Sequence, residues 1–268
     1  MTSASTFPDL AALPPVDPSL VDFAVELVRD AGELTLQWFG APDLVVDDKA
    51  DGTPVTAADR AAERLVRERV GERFPQDGVL GEEEPESHGT SGRRWIVDPI
   101  DGTKSFTRGV PLYSTLLALD DEHGPALGVI GLPAVGQVVY AGRGSGCFAD
   151  GRPARVSDTA HLADAFLMSS GFTHWPEDDL IAVRRAGCQL RTWGDGYGYA
   201  MIATGRADVM VDPEVALYDV APMPVIFHEA GGAFTSLDGR PGADGGSGVA
   251  TNGRLHAEVL ALLGAGTP

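Results

Sequence analysis

Asp98 and Asp101 stand three residues apart in the segment WIVDPIDGTKSFTR, Trp95 to Arg108, and Glu82 opens an acidic triplet, Glu82-Glu83-Glu84, directly after Gly81. Carboxylates are hard oxygen ligands for divalent cations, and Gly102-Thr103 after them would offer helix-start N–H groups to a phosphate. The apolar run Trp95-Ile96-Val97 reads as a buried strand that delivers both aspartates into a turn. Between them Pro99-Ile100 is rigid and apolar, which would aim the two carboxylates and the Ile100 carbonyl at one point. A second strand-like run, Gly78-Val79-Leu80-Gly81, leads to Glu82. In an exposed loop GEEE would be solvated surface, but the ends of buried strands are where sites in layered α/β folds collect.

These side chains need elements to hold them. From Asp17 to Gly40 apolar residues recur at helical spacing (Leu20, Phe23, Ala24, Leu27, Ala31, Leu34, Trp38), which predicts an amphipathic helix stopped by Gly40. Thr56 with Asp59 three residues on predicts a capped helix running to about Phe74, with Asp59 in its first turn. Between Gly92 and Val156 the segments RRWIVD, STLLALD, ALGVIGLP and QVVYAGRG, punctuated by glycine, read as strands of one sheet. From about Ser157 strands and helices alternate: AFLMSSG, a helix near Leu180 to Ala186, a strand through Leu190, a helix from Gly198 to Thr204, and ADVMVD. A helix from Asp219 to Ala230 with Asp219 as its N-cap, GGAFTSLDG, and a helix from His256 to Leu263 complete the chain, while Gly242 to Gly248 reads as a surface hairpin or turn. This is an α/β pattern with an α+β N-terminal half. Residues 1–15 are expected to be a mobile tail, 16–155 an α+β subdomain carrying the metal motifs, and 156–268 an α/β subdomain carrying substrate-selecting residues, with the site between the halves.

The chain has 268 residues, of which 43% are hydrophobic, enough for a globular core. A formal charge of −19, from 39 acidic and 20 basic residues, argues against nucleic-acid or acidic-membrane partners, since phosphate backbones would be repelled. An anionic substrate would need cations at the site, and bound metal ions would reverse the local field. Cys147 and Cys188 have no framework spacing and are expected to be reduced thiols of a cytoplasmic protein. The N-terminus has no basic n-region and is broken by Pro8, Pro14 and Pro15, unlike a signal peptide, and no apolar run approaches the roughly 18 residues of a membrane span. The six histidines lack HxH or HxxxH spacing, so zinc or histidine-based nucleophilic catalysis has no support. Ser105, Ser114 and Ser170 lack a nucleophile-elbow context.

Taken with GEEE upstream and ALYDVAPMPVIFHEAGG downstream, WIVDPIDGTKSF resembles the inositol monophosphatase family of metal-dependent phosphatases, over roughly Val16 to Leu263. The resemblance implies a layered αβαβα sandwich, a homodimer, and two or three magnesium ions, with manganese as an alternative ion. Glu82 and Asp98 with the Ile100 carbonyl would hold one ion, Asp98, Asp101 and Asp219 the second, and a third would sit at Glu82 through water. A two-metal site needs a carboxylate bridging ions about 3.5–4 Å apart, and Asp98 is the natural bridge. Gly102 and Thr103 would bind the phosphate. The Thr103 hydroxyl and Asp59 would orient the attacking water, which makes Asp59, Glu82 and Thr103 the catalytic set. Lys49 would balance carboxylate charge.

Within the family, KSFTRGVPLYSTLLAL, GRPARVS and WGDGYGYAMIATGRADVMVD look closest to the branch that hydrolyses histidinol phosphate. On that resemblance Gly194, Asp195 and Tyr197 face the leaving group, Asp101 and Asp219 border the substrate, and Asp212 is the acidic contact, with Glu214 as its alternative. A carboxylate pair such as Asp195 and Asp212 would complement an ammonium and an imidazole. The expected activity is magnesium-dependent hydrolysis of histidinol phosphate to histidinol and phosphate by a metal-activated water, in cytoplasmic histidine biosynthesis. The same chemistry on inositol 1-phosphate or another sugar phosphate is the alternative. A non-catalytic metal- or phosphate-binding protein is the alternative of another class.

Overall fold

Asp17 begins the first helix, α1 (Pro18–Thr35), by accepting the Ser19 N–H at 2.9 Å, and Pro18 takes the first helical position. The helix ends short of the predicted Gly40. The Thr35 hydroxyl turns back onto the Gly32 carbonyl at 2.7 Å and bonds Tyr113 at 2.8 Å, and the chain leaves through turns. The computed structural model describes residues 8–48 and 52–264.

A two-stranded ribbon, β1 (Val46–Asp48) with β2 (Pro54–Thr56), leads into α2 (Ala57–Arg73), where Thr56 and Asp59 form the predicted capping box. Next come β3 (Gly78–Gly81), β4 (Arg94–Asp101), the short α3 (Thr103–Thr107), β5 (Ser114–Asp121) and β6 (Gly124–Leu132). With β7 (Gln137–Gly142), β8 (Gly146–Ala149) and β9 (Arg152–Pro153) the strands form a seven-stranded sheet in sequence order. It is antiparallel except for the parallel pair β3–β4.

The second half contains β10 (Phe166–Met168), α4 (Glu177–Ala186), β11 (Gln189–Arg191), α5 (Asp195–Ala203) and β12 (Val209–Asp212). It continues with α6 (Leu217–Val220), α7 (Met223–Ala230), β13 (Ala233–Thr235), β14 (Gly248–Thr251) and α8 (His256–Leu262), and its five strands are ordered β11-β10-β12-β14-β13. Three apolar clusters stack these elements. One joins α1 and α2 to a face of the large sheet, through Leu27, Val66, Trp95 and Leu127. Another fills the space between the sheets with α5 and α7, through Ile202, Phe227, Ile130 and Met210. In the last, α4 and α8 cover the outer face of the small sheet, through Val183, Val259 and Val211. The layers are α, β, α, β, α, as the resemblance implies.

Three local expectations are corrected. The helix predicted from Asp219 to Ala230 is two, α6 and α7, because Pro222 and Pro224 lack the N–H groups that a continuous helix needs. Asp219 is therefore not an N-cap. It is the third residue after the cap Ala216, whose N–H its Oδ2 accepts at 2.8 Å. Beyond the glycine-rich loop lies β14, a strand of four buried residues, Gly-Val-Ala-Thr, too short and too uniformly buried to show alternation. Within the expected tail, residues 1–7 lie outside the described residues, but 8–15 are packed. Leu10 is 6% exposed in the inter-sheet cluster, and the buried Arg143 guanidinium donates to the Pro14 carbonyl at 2.7 Å and to Asp121. Cys147 and Cys188 are buried free thiols. No helix among the described residues is long and apolar enough to cross a membrane.

Candidate active site

Strand alternation decides which way the acidic residues of β4 face. Trp95 and Val97 pack toward α1 and α2, so Ile96 and Asp98 share the opposite face, where Ile96 meets Leu217 and Ala221 around α6. The strand does not turn after Asp98, as the sequence suggests, but continues to Asp101 with a register shift against β5. Asp98 Oδ1 accepts the Ile100 N–H at 3.1 Å, and the Pro99 carbonyl takes the Thr115 hydroxyl at 2.9 Å. Asp101 then regains register opposite Ser114, whose hydroxyl donates to Asp101 Oδ2 at 2.7 Å. Because β3 runs parallel with Gly81 opposite Val97, Glu82 emerges at the same end as Asp98.

A cleft of about 330 Å³ gathers most of the predicted residues: Glu82, Asp98, Ile100, Asp101, Gly102, Thr103, Asp195, Asp212 and Asp219, with Glu214 at its edge. Gly102 turns the chain at a left-handed φ of 81° into α3. Three predicted residues do not line the cleft. Asp59 lies behind it, fully buried. Gly194 caps α5 so tightly that a Cβ would come within 2.2 Å of the Ser170 Cα, and the Tyr197 ring packs against the inter-sheet cluster. Lys49 lies outside the described residues.

Burial and mutual repulsion set the electrostatics. Asp98, 2% exposed, is held well above the usual carboxylate range by burial and then by the charges of Glu82, Asp101 and Asp219. Burial likewise raises Asp101, helped by Asp195 and Asp219. Asp219 is pushed up to about 7 by burial against the opposing Ala216 hydrogen bond, with further repulsion from Glu82 and Asp195. Asp59 is raised by burial; its Oδ2 accepts the N–H and hydroxyl of Thr56, while among the described residues its buried Oδ1 has no hydrogen-bond partner. The Thr103 hydroxyl donates to the Ile100 carbonyl at 3.0 Å, and among the described residues no hydrogen bond joins it to Asp59.

Such a set fits hard divalent cations, which would relieve the repulsion that now holds the carboxylates toward protonation. Among the described residues no three acidic, imidazole or thiol side chains already stand as a closed ligand array. The carboxylates are close enough to perturb one another without that.

At the other end of the cleft, Asp212 is fully engaged. It accepts the Ser170 N–H at 2.8 Å, the Ser170 hydroxyl at 3.1 Å and the Tyr199 hydroxyl at 3.0 Å. Asp195, at a left-handed φ of 54°, donates its N–H to Ser170 Oγ at 2.8 Å. Its carboxyl is pushed up to about 6 by burial and the Asp212 charge, against Ser170 and Lys104. On the rim Glu214 pairs with His174 at 3.0 Å, both mostly exposed.

Sequence reasoning missed Lys104, Ser170 and Ser114. Lys104 lines the cleft beside Thr103, and its place in DGTK was the available signal. The serines act as donors that hold carboxylates in place, a role no nucleophile motif announces.

The family model described as the inositol monophosphatase family matches residues 17–265. A histidinol-phosphatase of Mycobacterium tuberculosis is 47% identical over 91% of this chain and 97% of its own length, and one of Chlorobaculum parvum is 42% identical over 92% and 97%. The solved structure of an IMPase from Thermotoga maritima superposes with a TM-score of 0.84 at 30% identity, over 92% of this chain and 97% of the other.

Proposed function

The chain belongs to the inositol monophosphatase family, and from that premise we propose that it hydrolyses histidinol phosphate to histidinol and inorganic phosphate as a step of histidine biosynthesis. The observation that carries the choice of substrate is the higher identity, over nearly the whole chain, to relatives named histidinol-phosphatase than to the IMPase. The inward-facing Asp195 supports it, since an acidic leaving-group side suits a cationic alcohol better than a polyol.

The family is metal-dependent. We take magnesium as the ion, with Glu82, Asp98 and the Ile100 carbonyl holding one and Asp98, Asp101 and Asp219 a second. Bound there, the ions would supply Lewis-acid polarisation of the phosphoryl oxygens and a nucleophile at neutral pH. This chain's own residues do the rest. Asp59, whose buried Oδ1 has no hydrogen-bond partner among the described residues, would act with the Thr103 hydroxyl to orient the attacking water. Gly102 and Thr103, at the left-handed entry to α3, face the phosphate, and Lys104 adds the positive charge on that side. Asp195 receives the ammonium end of the leaving group, while Asp212, spent on Ser170 and Tyr199, sets the position of the α5 entrance. The homodimer and the cytoplasmic residence that the resemblance implies belong to the same proposal.

The test is phosphate release from histidinol phosphate, inositol 1-phosphate and fructose 1,6-bisphosphate with magnesium present. A clear preference for histidinol phosphate is expected. A preference for the inositol ester would remove the substrate assignment and leave the metal chemistry standing, and no release from any of them would remove both.

A further inference from the structure

Glu63 is a fully buried carboxylate outside the cleft, one helical turn beyond Asp59 on α2. Residues four apart share a helix face, so both carboxylates point from α2 toward the large sheet. Glu63 Oε2 accepts the Glu83 N–H at 2.7 Å, and Oε1 accepts the Glu84 N–H at 3.1 Å and the Arg67 Nε–H at 2.8 Å. Arg67 completes the grip from the other side, donating to the Glu84 carbonyl at 2.9 Å and to the Val79 carbonyl at 3.4 Å. On the near side of Glu82 the fit is closed by Gly81, where an added Cβ would lie 2.2 Å from Glu63 Oε1. Glu82 is thus flanked on both sides by backbone that bears on one buried carboxylate.

We propose that Glu63, anchored by Arg67, is a positioning residue that places Glu82 for metal binding, so that one face of α2 sets both the water-orienting carboxylate and a metal ligand. Because its hydrogen bonds go to the backbone around Glu82 rather than to the cleft, its loss changes metal affinity and leaves substrate affinity alone. The inference rests on the reading of Glu82 as a metal ligand, and the experiment separates the two.

Magnesium binding to the full-length protein is measured by calorimetry, without substrate, for wild type, Glu63→Gln, Glu63→Asp, Arg67→Gln and Glu82→Gln. The magnesium dependence of phosphate release and the substrate KM at saturating magnesium are measured alongside. Glu63→Gln should weaken magnesium binding by about tenfold or more, the range seen when a residue that orients a ligand is lost, with KM little changed. Arg67→Gln should move it in the same direction by less, which keeps the test alive if Glu63→Gln fails to fold, and Glu63→Asp should bind magnesium better than Glu63→Gln. Unchanged magnesium binding in Glu63→Gln and Arg67→Gln, with Glu82→Gln weakened, would overturn the positioning role alone. Unchanged binding in Glu82→Gln would overturn the ligand reading itself.

Discussion

The Gly196 N–H donates to Asp101 Oδ2, a bond between residues 95 positions apart that ties the start of α5 to the end of β4. It joins the segment proposed to choose the substrate to the segment proposed to hold the metals. A second contact reinforces it, since a Cβ on Gly102 would come within 2.7 Å of Asp195 Oδ2. The segments proposed for substrate selection and for metal binding are thus mechanically one unit, and the same Ser170 that positions Asp195 also holds Asp212.

Gly102→Ala tests that unit. The left-handed φ of 81° disfavours any side chain, by about 1–2 kcal/mol, and the new methyl must displace Asp195. Steady-state kinetics should show kcat/KM for histidinol phosphate reduced on the order of 10²-fold, as for a displacement of about 1 Å near reacting atoms. A wild-type kcat/KM would mean that Asp195 does not depend on this contact.

Asp98→Asn should bring phosphate release to background while the melting temperature of the chelator-treated protein holds or rises. The substitution keeps the volume and replaces a carboxyl whose charged form is disfavoured by burial and then by Glu82, Asp101 and Asp219. Retained turnover would contradict the bridging role, and a fall of many degrees in melting temperature would contradict the electrostatic account.

Without metal, stability should depend on pH in an unusual direction. Burial and neighbouring carboxylates push folded Asp195 up to about 6 and Asp219 up to about 7, against 3.8 as the ordinary value, so the folded state binds more protons than the unfolded chain between about pH 4 and 7. Stability from these groups is complete below the unfolded value and is lost as pH rises through the folded values. His256, lowered by burial, works in the opposite sense below its ordinary 6.5. Calorimetric melts in chelator from pH 5.5 to 8 should therefore show a falling melting temperature. Saturating magnesium should flatten the slope, and Asp219→Asn should reduce it. A melting temperature that rises with pH in chelator, and is indifferent to Asp219→Asn, would show that these carboxylates are not repelled as described.

Asp195→Asn and Asp212→Asn should separate contact from support. Loss of one hydrogen bond to a charged partner is worth about 1.5–3 kcal/mol, so Asp195→Asn should raise KM for histidinol phosphate at least about tenfold and hardly affect a neutral-alcohol ester. Asp212→Asn should instead lower the melting temperature, because an amide cannot accept all the donors that Ser170 and Tyr199 present. Equal KM effects of Asp195→Asn on both esters would show that this carboxylate does not read the ammonium.

Much of the scaffold around the site is legible from short spans of sequence. The run Trp95-Ile96-Val97 announces a buried strand ending in aspartates, Thr56 with Asp59 announces a helix start, and glycine-punctuated segments announce the large sheet. Errors fall where a local signal is contradicted nearby or is missing. Helical periodicity after Asp219 conceals the break at Pro222, and four small buried residues in β14 carry no alternation.

Sequence by itself determined which oxygen-bearing residues are candidate ligands, the elements that carry most of them and the family to which the chain belongs, because capping, alternation and the DPIDGT run are local properties of neighbouring residues. Only the tertiary structure decided that Asp212 is occupied by Ser170 and Tyr199, that the half-buried Tyr197 packs against the inter-sheet cluster, that Asp59 keeps one carboxylate oxygen without a hydrogen bond among the described residues, and that Glu63 clamps the loop of Glu82. Each of these depends on which distant group is brought within hydrogen-bonding reach when the five layers pack, and a buried polar atom acquires its role from the partners that surround it.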